Sequence, residues 1–297
     1  MRRDASTHAG YDRATVDALL AALLPRLPGR RAALVGLSGL QASGKSTLAQ
    51  QLAAAARERG TATEVLALDD FYLGRRDRAA LAREHHPLLA TRGVPGTHDL
   101  GLLVETVRSL RNASPRRPAR IPRFDKGRDT RLPPSRWRRV TSPPQLIVLE
   151  GWCIGVPAES RRALARAVNS LERREDADAR WRTWVNARLA GEYGALWHRL
   201  DVLIVLAAPS FDVVARWREE PERALRQRSA PRAMSRPMLR RFLMHYERIS
   251  RHALRTLPRF ADVVVTLDQS RRVIRIRAKP RRLKPRQRAG STTTAVP

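Results

Sequence analysis

One nine-residue stretch, GLQASGKST at 39–47, limits the possible folds of this chain more than any other feature. It matches G-x-x-x-x-G-K-[S/T], the pattern of a glycine-rich loop that binds phosphate groups where a strand precedes it and a helix follows. The apolar run AALVGLSG at 32–39 predicts the strand, and residues 45–58 repeat apolar side chains at helical spacing before Gly60. The context that the motif requires is therefore present.

The residue types in this loop suit a nucleoside triphosphate. Gly39 and Gly44 allow the backbone to curl so that successive N–H groups face the phosphates, and the following helix adds its positive N-terminal end. Lys45 supplies a point charge to the β- and γ-phosphates, and the Ser46 hydroxyl can bind Mg²⁺. The predicted cofactors are therefore ATP and Mg²⁺. The predicted nucleotide-binding residues are Gly39, Gln41, Ala42, Ser43, Gly44, Lys45, Ser46 and Thr47.

Further short runs of Val, Ile and Leu predict strands at 63–70, 145–151, 201–209 and 261–268. Helical patterns are found at 13–25, 100–111, 179–200, 211–230 and 235–257. Pro221 is expected to kink or split one of them. Continuous apolar strands separated by helices are typical of a parallel sheet covered on both faces. We therefore expect an α/β P-loop NTPase fold with a mainly parallel central sheet, helices on both faces and a helical lid.

The composition predicts one domain over residues 1–277 and a disordered basic tail at 278–297, which has almost no apolar content. Residues 112–144 are rich in Pro and Arg and are expected to form an insertion loop. No apolar run approaches the length of a membrane span, and the N-terminus lacks the apolar region of a signal peptide. The single cysteine, Cys153, excludes an intramolecular disulfide and favours the cytoplasm.

The net charge of +30 is concentrated in two Arg-rich segments, 111–140 and 271–288. This concentration predicts incidental affinity for polyanions or nucleic acid. A nucleic-acid-associated P-loop ATPase is therefore an alternative function. Against it, the sequence has no helicase motifs and no aromatic-plus-basic platform for a single strand.

The stretch VLALDDFYLGRRDR at 65–78 favours a small-molecule kinase. The carboxyl ends of parallel strands converge on the phosphate loop, so a carboxylate that follows the second strand faces the γ-phosphate. Asp69 is in position to orient or deprotonate an attacking hydroxyl. One of the two aspartates can instead cap the following turn, and we assign that role to Asp70. The sequence has no N-K-x-D motif, which disfavours a GTPase.

Seven stretches between about residue 30 and about residue 270 closely resemble the D-glycerate 3-kinase family of P-loop kinases, which is related to uridine kinase, phosphoribulokinase and bacterial pantothenate kinase. They are GLSGLQASGKSTLA, LALDDFY, TRGVPGTHDL, PRFDKGRDTRLP, VLEGWCIG, WVNARLAGEYGALW and HYERISRHAL. RGVPGTHD and EGWCIG are specific to this branch. The resemblance implies transfer of the γ-phosphoryl group of ATP to a small anionic hydroxy acid, D-glycerate, giving 3-phosphoglycerate. A nucleoside, pantothenate or a sugar phosphate is the alternative acceptor.

The resemblance also implies roles for individual residues. The catalytic residues are then Asp69, as the base, and Lys45, as the cation beside the phosphates. Glu150 joins Ser46 near Mg²⁺, although an exposed Glu at a strand end is the alternative. The implied substrate residues are Tyr72, Arg92, Thr97, His98, Asp99, Lys126 and Arg131. Asp99 can also cap the helix at 100–111, and arginine can bind a carboxylate in bidentate fashion. Trp217, Arg218 and Glu222 match a lid element. The aromatic residues Trp181, Trp184, Tyr193 and Trp197 are assigned to core packing.

Overall fold

The structure of the protein is a computed structural model that describes residues 10–29, 31–227 and 234–280. Its helices are α1 (Arg13–Leu23), α2 (Lys45–Glu58), α3 (Arg75–Glu84), α4 (Leu100–Arg111), α5 (Arg161–Leu164), α6 (Ser170–Glu175), α7 (Arg180–Arg188), α8 (Gly194–Trp197), α9 (Asp212–Gln227) and α10 (Arg236–Phe260). Its strands are β1 (Ala33–Gly39), β2 (Thr63–Ala67), β3 (Ala119–Ile121), β4 (Phe124–Asp125), β5 (Thr130–Arg131), β6 (Arg138–Val140), β7 (Leu146–Gly151), β8 (Val202–Ala207), β9 (Val263–Leu267) and β10 (Val273–Ala278).

The central sheet has the strand order β10-β9-β8-β1-β7-β2. The strands β9, β8, β1, β7 and β2 are parallel, and β10 pairs antiparallel with β9. The predicted α/β P-loop fold with a mainly parallel sheet is therefore confirmed. The sequence did not predict β10, because its arginines alternate with apolar residues and most of its side chains are exposed.

Alternate residues of the buried strands pack on opposite faces of the sheet, as the two-residue period of a strand requires. On one face, Leu34, Ile147 and Leu203 contribute to an apolar cluster that also includes residues of α4, α7 and α10. On the other face, Val35 and Val148 pack with residues of α1, α2 and α9. The sheet is therefore buried on both sides, which leaves the carboxyl ends of its strands as the place for a ligand.

Three features differ from the sequence-based expectations. The segment 112–144 contains two small antiparallel pairs, β3 with β6 and β4 with β5, instead of irregular loop alone. Helix α9 continues past Pro221 and is not split. The backbone N–H of Lys279, in the predicted tail, donates to the Asp262 carbonyl at 2.8 Å. Residues 281–297 of that tail lie outside the described residues.

The predicted helix at 179–200 is irregular. It consists of α7, a π-helical segment at Leu189–Tyr193 and α8. Gly191, inside the π-helical segment, has the non-helical angles φ −88° and ψ −105°. Within the three described ranges, no helix combines the length and the apolar character needed to cross a membrane.

Candidate active site

The phosphate loop connects β1 to α2, as the motif predicts. Gly44 has φ 87°, in the left-handed region that favours glycine, and Lys45 is the first residue of α2. A Cβ at position 44 would lie 2.9 Å from the Tyr11 hydroxyl, which donates to the Ser43 carbonyl at 2.8 Å. Conformation and space both require glycine here. The first N–H groups of α2, which lack partners within the helix, therefore border the loop.

Lys45 lies against the loop itself. Its Nζ donates to the Leu40 carbonyl oxygen at 2.8 Å. Burial lowers the pKa of Lys45, and the nearby carboxylates of Glu150 and Asp69 oppose this effect. A bound phosphate would add negative charge beside the ammonium group and would stabilise its charged form.

Ser46 and Glu150 are brought together although they are far apart in the sequence. Ser46 Oγ donates to Glu150 Oε1 at 2.6 Å, and Glu150 near the end of β7 is only 7% exposed. Burial raises the pKa of Glu150, while the charge of Lys45 opposes this effect. The alternative of an exposed strand-end glutamate is therefore excluded. Hydroxyl and carboxylate oxygens are the ligand types that Mg²⁺ prefers, so the pair fits this ion.

The other loop residues include buried polar atoms without partners in the described part of the chain. Gln41 Oε1, Gln41 Nε2 and Ser43 Oγ are buried and have no hydrogen-bond partner among the described residues. Ala42 has φ 59°, Thr47 lies in the first turn of α2, and a Cβ at Gly39 would lie 3.0 Å from Ser43 Oγ. Unpaired buried polar groups are unfavourable, so this loop suits a polar ligand.

Asp69 lies in the 3₁₀ turn Leu68–Phe71 that follows β2. Its Oδ1 accepts a hydrogen bond from the Tyr72 hydroxyl at 2.7 Å, and its Oδ2 lies 3.0 Å from Lys126 Nζ. Burial acts to raise the pKa of Asp69, but the Lys126 ammonium and the Tyr72 hydroxyl outweigh it and hold this pKa below its usual range. Asp69 is therefore ionised and contacts two of the predicted substrate residues, Tyr72 and Lys126.

Asp70 does not cap the turn that follows it. Its Oδ1 accepts a hydrogen bond from the backbone N–H of Phe124 at 2.9 Å, which lies 54 residues further along the chain. Burial raises the pKa of Asp70, and this hydrogen bond opposes the effect. The capping role predicted for Asp70 is therefore wrong. Asp70 instead anchors residues 121–132, which we call the substrate loop.

Tyr72 and His98 lie side by side. They form an isolated antiparallel bridge, and their ring centroids are 4.9 Å apart. His98 Nδ1 lies 2.6 Å from the Tyr193 hydroxyl oxygen, while His98 Nε2 is buried without a hydrogen-bond partner among the described residues. Burial lowers the pKa of His98 to about 4, and Asp69 opposes the shift. His98 is therefore a neutral ring at physiological pH.

Thr97 precedes His98, and its side chain forms hydrogen bonds with the backbone of its own loop. Its fully buried hydroxyl donates to the Val94 carbonyl at 2.7 Å and accepts from the Gly93 N–H at 2.9 Å. Because both interactions are internal to the turn, we assign Thr97 to loop geometry instead of the direct substrate contact that the resemblance implies.

Asp99 has the capping role predicted for it and also forms an ion pair, while its predicted contact with the substrate stays a prediction. Its Oδ1 accepts from the Leu102 N–H at 2.9 Å and so caps α4, while its Oδ2 lies 3.2 Å from the guanidinium of Arg131. Arg131 also donates to the Tyr72 carbonyl at 3.2 Å, and its Nε is buried without a hydrogen-bond partner in the described part of the chain. The helix start and the substrate loop are thereby joined.

Arg92 is the remaining predicted substrate residue, and it forms an ion pair with Asp129. Arg78, whose side chain is 3% exposed, forms a second ion pair with the same carboxylate. Sequence reasoning missed Arg78 and Asp129. The available signal was Asp129 itself, an acid among the arginines of RFDKGRDTR. These contacts fix the substrate loop to α3 and to the segment that follows it.

The predicted lid residues lie on α9, and one of them, Trp217, belongs to the same apolar cluster as Leu40 of the phosphate loop. Trp217 Nε1 donates to the Gln269 carbonyl at 2.8 Å, and Arg218 forms an ion pair with Glu222 at 3.0 Å. Arg271 lies over the Trp217 ring, 5.8 Å from its centroid. Helix α9 is thus held to the turn between β9 and β10.

The carboxyl ends of the strands offer a binding place for the phosphoryl donor and another for the acceptor. The phosphate loop can hold the donor, and Asp69 offers an ionised carboxylate to an attacking hydroxyl. This organisation is that of a P-loop kinase, an ATP-dependent phosphotransferase with an alcohol acceptor.

Comparison with known proteins gives the family. The chain is 31% identical over 233 residues to the Schizosaccharomyces pombe protein named uncharacterized kinase mug58, a match that covers 74% of this chain and 80% of that protein. It is 30% identical over 204 residues to the chloroplastic D-glycerate 3-kinase of Arabidopsis thaliana, covering 65% of this chain and 42% of that protein. No family model matches the sequence. The chain belongs to the D-glycerate 3-kinase family of P-loop kinases.

A solved structure agrees on the fold. The D-glycerate 3-kinase of Cryptococcus neoformans superimposes with a TM-score of 0.74 and 21% sequence identity, covering 90% of this chain and 100% of that chain.

Proposed function

We propose that this kinase transfers the γ-phosphoryl group of ATP to a hydroxyl group of D-glycerate and forms 3-phosphoglycerate. The observation that carries this proposal is the ion pair of Asp69 with Lys126 on the substrate loop. A small hydroxy acid has a hydroxyl group that a base can deprotonate and a carboxylate group that a cation can bind. This pair offers both within the reach of one small molecule.

Asp69 accepts the proton of the acceptor hydroxyl as its oxygen bonds to the γ-phosphorus. The bond between that phosphorus and the β,γ-bridging oxygen breaks, and ADP leaves with the bonding electrons. Lys45 balances negative charge on the phosphates during transfer. The Tyr72 hydroxyl, which donates to Asp69 Oδ1, leaves Oδ2 as the oxygen that faces the acceptor once Lys126 moves to the substrate carboxylate.

Two cationic side chains of the substrate loop suit an anionic acceptor. Lys126 is 47% exposed, so its ammonium can exchange Asp69 for a substrate carboxylate without major rearrangement. Arg131 has a buried Nε without a hydrogen-bond partner in the described residues and is held by Asp99. We assign the substrate carboxylate to these two residues.

The cofactor Mg²⁺ would be held by Ser46 and Glu150, whose oxygens are already 2.6 Å apart. When bound, it would neutralise charge on the β- and γ-phosphates. The raised pKa of Glu150 predicts that this carboxylate becomes a better ligand as the pH rises.

A phosphoryl-transfer assay at fixed ATP and Mg²⁺ tests the acceptor. The panel contains D-glycerate, L-glycerate, uridine, pantothenate and ribulose 5-phosphate, and ³¹P NMR identifies the phosphorylated hydroxyl. We expect kcat/KM for D-glycerate to exceed that for the neutral uridine by about 10⁴-fold. The cationic side chains that would bind the carboxylate of glycerate have no partner when a neutral acceptor is bound. A higher kcat/KM for any other panel member, or 2-phosphoglycerate as the product, would overturn the assignment.

We also propose that the exposed arginines give incidental affinity for polyanions. Arg275 and Arg277 on β10 are exposed. Such binding should weaken steeply with salt and should not stimulate ATP hydrolysis. Hydrolysis stimulated by nucleic acid would instead favour a nucleic-acid-associated ATPase.

A further inference from the structure

The hydroxyl of Tyr193 contacts residues 92–99, which we call the acceptor loop. Tyr193 is completely buried, accepts a hydrogen bond from the Gly96 N–H at 2.9 Å and lies 2.6 Å from His98 Nδ1. The Gly96 N–H can only donate, and the phenol has a single proton. The Gly96 N–H, the Tyr193 hydroxyl and His98 Nδ1 are all satisfied when Tyr193 donates that proton to Nδ1 of a neutral His98. The ring proton of His98 then lies on Nε2.

The second ring nitrogen of His98, Nε2, is the one that remains available to a ligand. Nε2 is buried without a hydrogen-bond partner among the described residues. The Tyr72 ring lies 4.9 Å from the His98 ring, and the Tyr72 hydroxyl is bonded to Asp69. In the Nε2–H tautomer, this nitrogen is a buried donor without a partner among the described residues, on a ring that lies beside Tyr72, and an oxygen of a bound ligand would satisfy it.

The π-helical segment accounts for the position of Tyr193, its last residue. An inserted residue turns the side chains that follow it by about 100° around the helix axis, and π-helical segments are frequent at functional sites. A Cβ at Gly96 would lie 2.2 Å from the Trp184 ring of α7. The acceptor loop is therefore pressed against this irregular helix, and its distance from the Tyr193 hydroxyl is fixed.

We propose that Tyr193 is a positioning residue that holds His98 in the Nε2–H tautomer, so that this N–H donates to an oxygen of the bound acceptor. The inference rests on the proposed function, because it places the acceptor next to Asp69. His98 then contacts the acceptor directly, whereas Tyr193 acts only through His98. A nitrogen fixed as a donor recognises a carboxylate or hydroxyl oxygen and disfavours a donor group at the same place.

The tautomer is measured first, in the free protein without any acceptor. Long-range ¹H–¹⁵N spectra of the histidine rings distinguish a proton on Nε2 from one on Nδ1. We expect His98 to carry its proton on Nε2 in the wild type and to become a mixture of tautomers in Tyr193→Phe. The control is Trp197→Phe, because Trp197 packs 5.9 Å from the Tyr193 ring without contacting the hydroxyl. It should leave the His98 spectrum unchanged. This readout stands even if D-glycerate is not the acceptor.

Kinetics with the acceptor that the substrate panel identifies form the second measurement. We expect Tyr193→Phe to raise the KM of that acceptor by about tenfold, the effect of weakening one hydrogen bond to a charged group, and to leave the KM for ATP within about twofold. His98→Leu should have at least the same effect, and His98→Gln, which keeps a donor near the Nε2 position, should restore most of the affinity.

The double variant separates positioning from a general loss of packing. If Tyr193 acts through His98, Tyr193→Phe should change the acceptor KM no further in the His98→Leu background. A proton on Nδ1 in the wild type would overturn the proposal. So would an unchanged acceptor KM in either Tyr193→Phe or His98→Leu, or full additivity of the two. If Tyr193→Phe fails to fold, an acceptor KM equal to wild type in His98→Leu still overturns it.

Discussion

Lys126 Nζ lies 3.0 Å from Asp69 Oδ2, so the residue proposed as base is one partner of an ion pair before substrate arrives. Both side chains are partly exposed, Lys126 by 47% and Asp69 by 34%. An exposed pair of this kind contributes little to stability, so it can separate at low cost. The pair keeps Asp69 ionised, and a substrate carboxylate can take over its cation at the moment the hydroxyl approaches the base.

Asp69→Asn preserves the shape of the side chain and removes its basicity. We expect kcat to fall by about 10²–10⁴-fold, the usual contribution of a general base, with the KM for ATP little changed. Steady-state kinetics with ATP and acceptor varied in turn provide the measurement. Asp70→Asn is the matched control and should cost clearly less in kcat, because Asp70 contacts the Phe124 backbone. A larger loss in Asp70→Asn, or a raised KM for ATP alone in Asp69→Asn, would refute the base assignment.

Lys126→Met tests how the base is kept ionised. The pKa of Asp69 lies below its usual range because Lys126, with the Tyr72 hydroxyl, outweighs the opposite effect of burial. This pKa should therefore rise when the ammonium group of Lys126 is removed. Activity that requires ionised Asp69 disappears as the pH falls through this pKa. The acidic limb of the kcat/KM profile should therefore move to higher pH, and the acceptor KM should increase.

Arg128→Met is the control for this change, because Arg128 lies on the same loop, is 78% exposed and pairs only weakly with Asp125 at 3.9 Å. It should leave both the pH profile and the acceptor KM near wild type. Identical profiles for Lys126→Met and wild type would show that Lys126 does not govern Asp69.

Lys45→Ala removes the cation of the phosphate loop. We expect phosphoryl transfer to fall by at least about 10²-fold, because the charge that develops on the phosphates loses a preorganised partner. Thermal melting should remain close to wild type, since the hydrogen bond that Lys45 Nζ makes within the described residues is to the Leu40 carbonyl of its own loop. Transfer within about tenfold of wild type would mean that this loop does not bind the reacting phosphates.

His98 makes the free energy of unfolding depend on pH. Burial lowers its pKa to about 4 from a usual 6.5, so between these values the unfolded chain binds a proton that the folded protein does not. Stability should therefore fall as the pH drops from 6.5 toward 4, by up to about 3 kcal/mol from this residue.

Denaturant melts across this pH range should show a smaller loss in His98→Gln, which has no ring to protonate. The control is His198→Gln, at an exposed position, which should retain the wild-type pH dependence. An unchanged slope in His98→Gln would contradict the predicted titration of His98.

The sequence predicted the parts of the site that depend on local pattern. The phosphate loop, the strand before it and α2 follow from a motif whose spacing determines its geometry. The proximity of Ser46 and Glu150 was expected only from the resemblance to the kinase family, and the structure shows the two side chains in contact.

Contacts over long sequence distances could not be predicted in this way. Asp70 was assigned to its own turn because turns are the usual partners of such residues, yet it binds Phe124. Tyr193 was assigned to core packing, and its hydroxyl was ignored, because helical spacing says nothing about a π-helical segment. Neither partner leaves a signal in the local sequence, since each depends on how distant elements pack.

Strand β10 is the terminal strand on its side of the sheet, and it alternates apolar residues with Arg275 and Arg277. A terminal strand presents unpaired backbone groups to which another polypeptide can add, and charged side chains are a common protection against such addition. Ile274 on this strand is 65% exposed, and without charged neighbours it would favour contact with another apolar surface. The two arginines place positive charge where a second copy of the chain would have to pair, so part of the strong basicity of the chain disfavours sheet-to-sheet association.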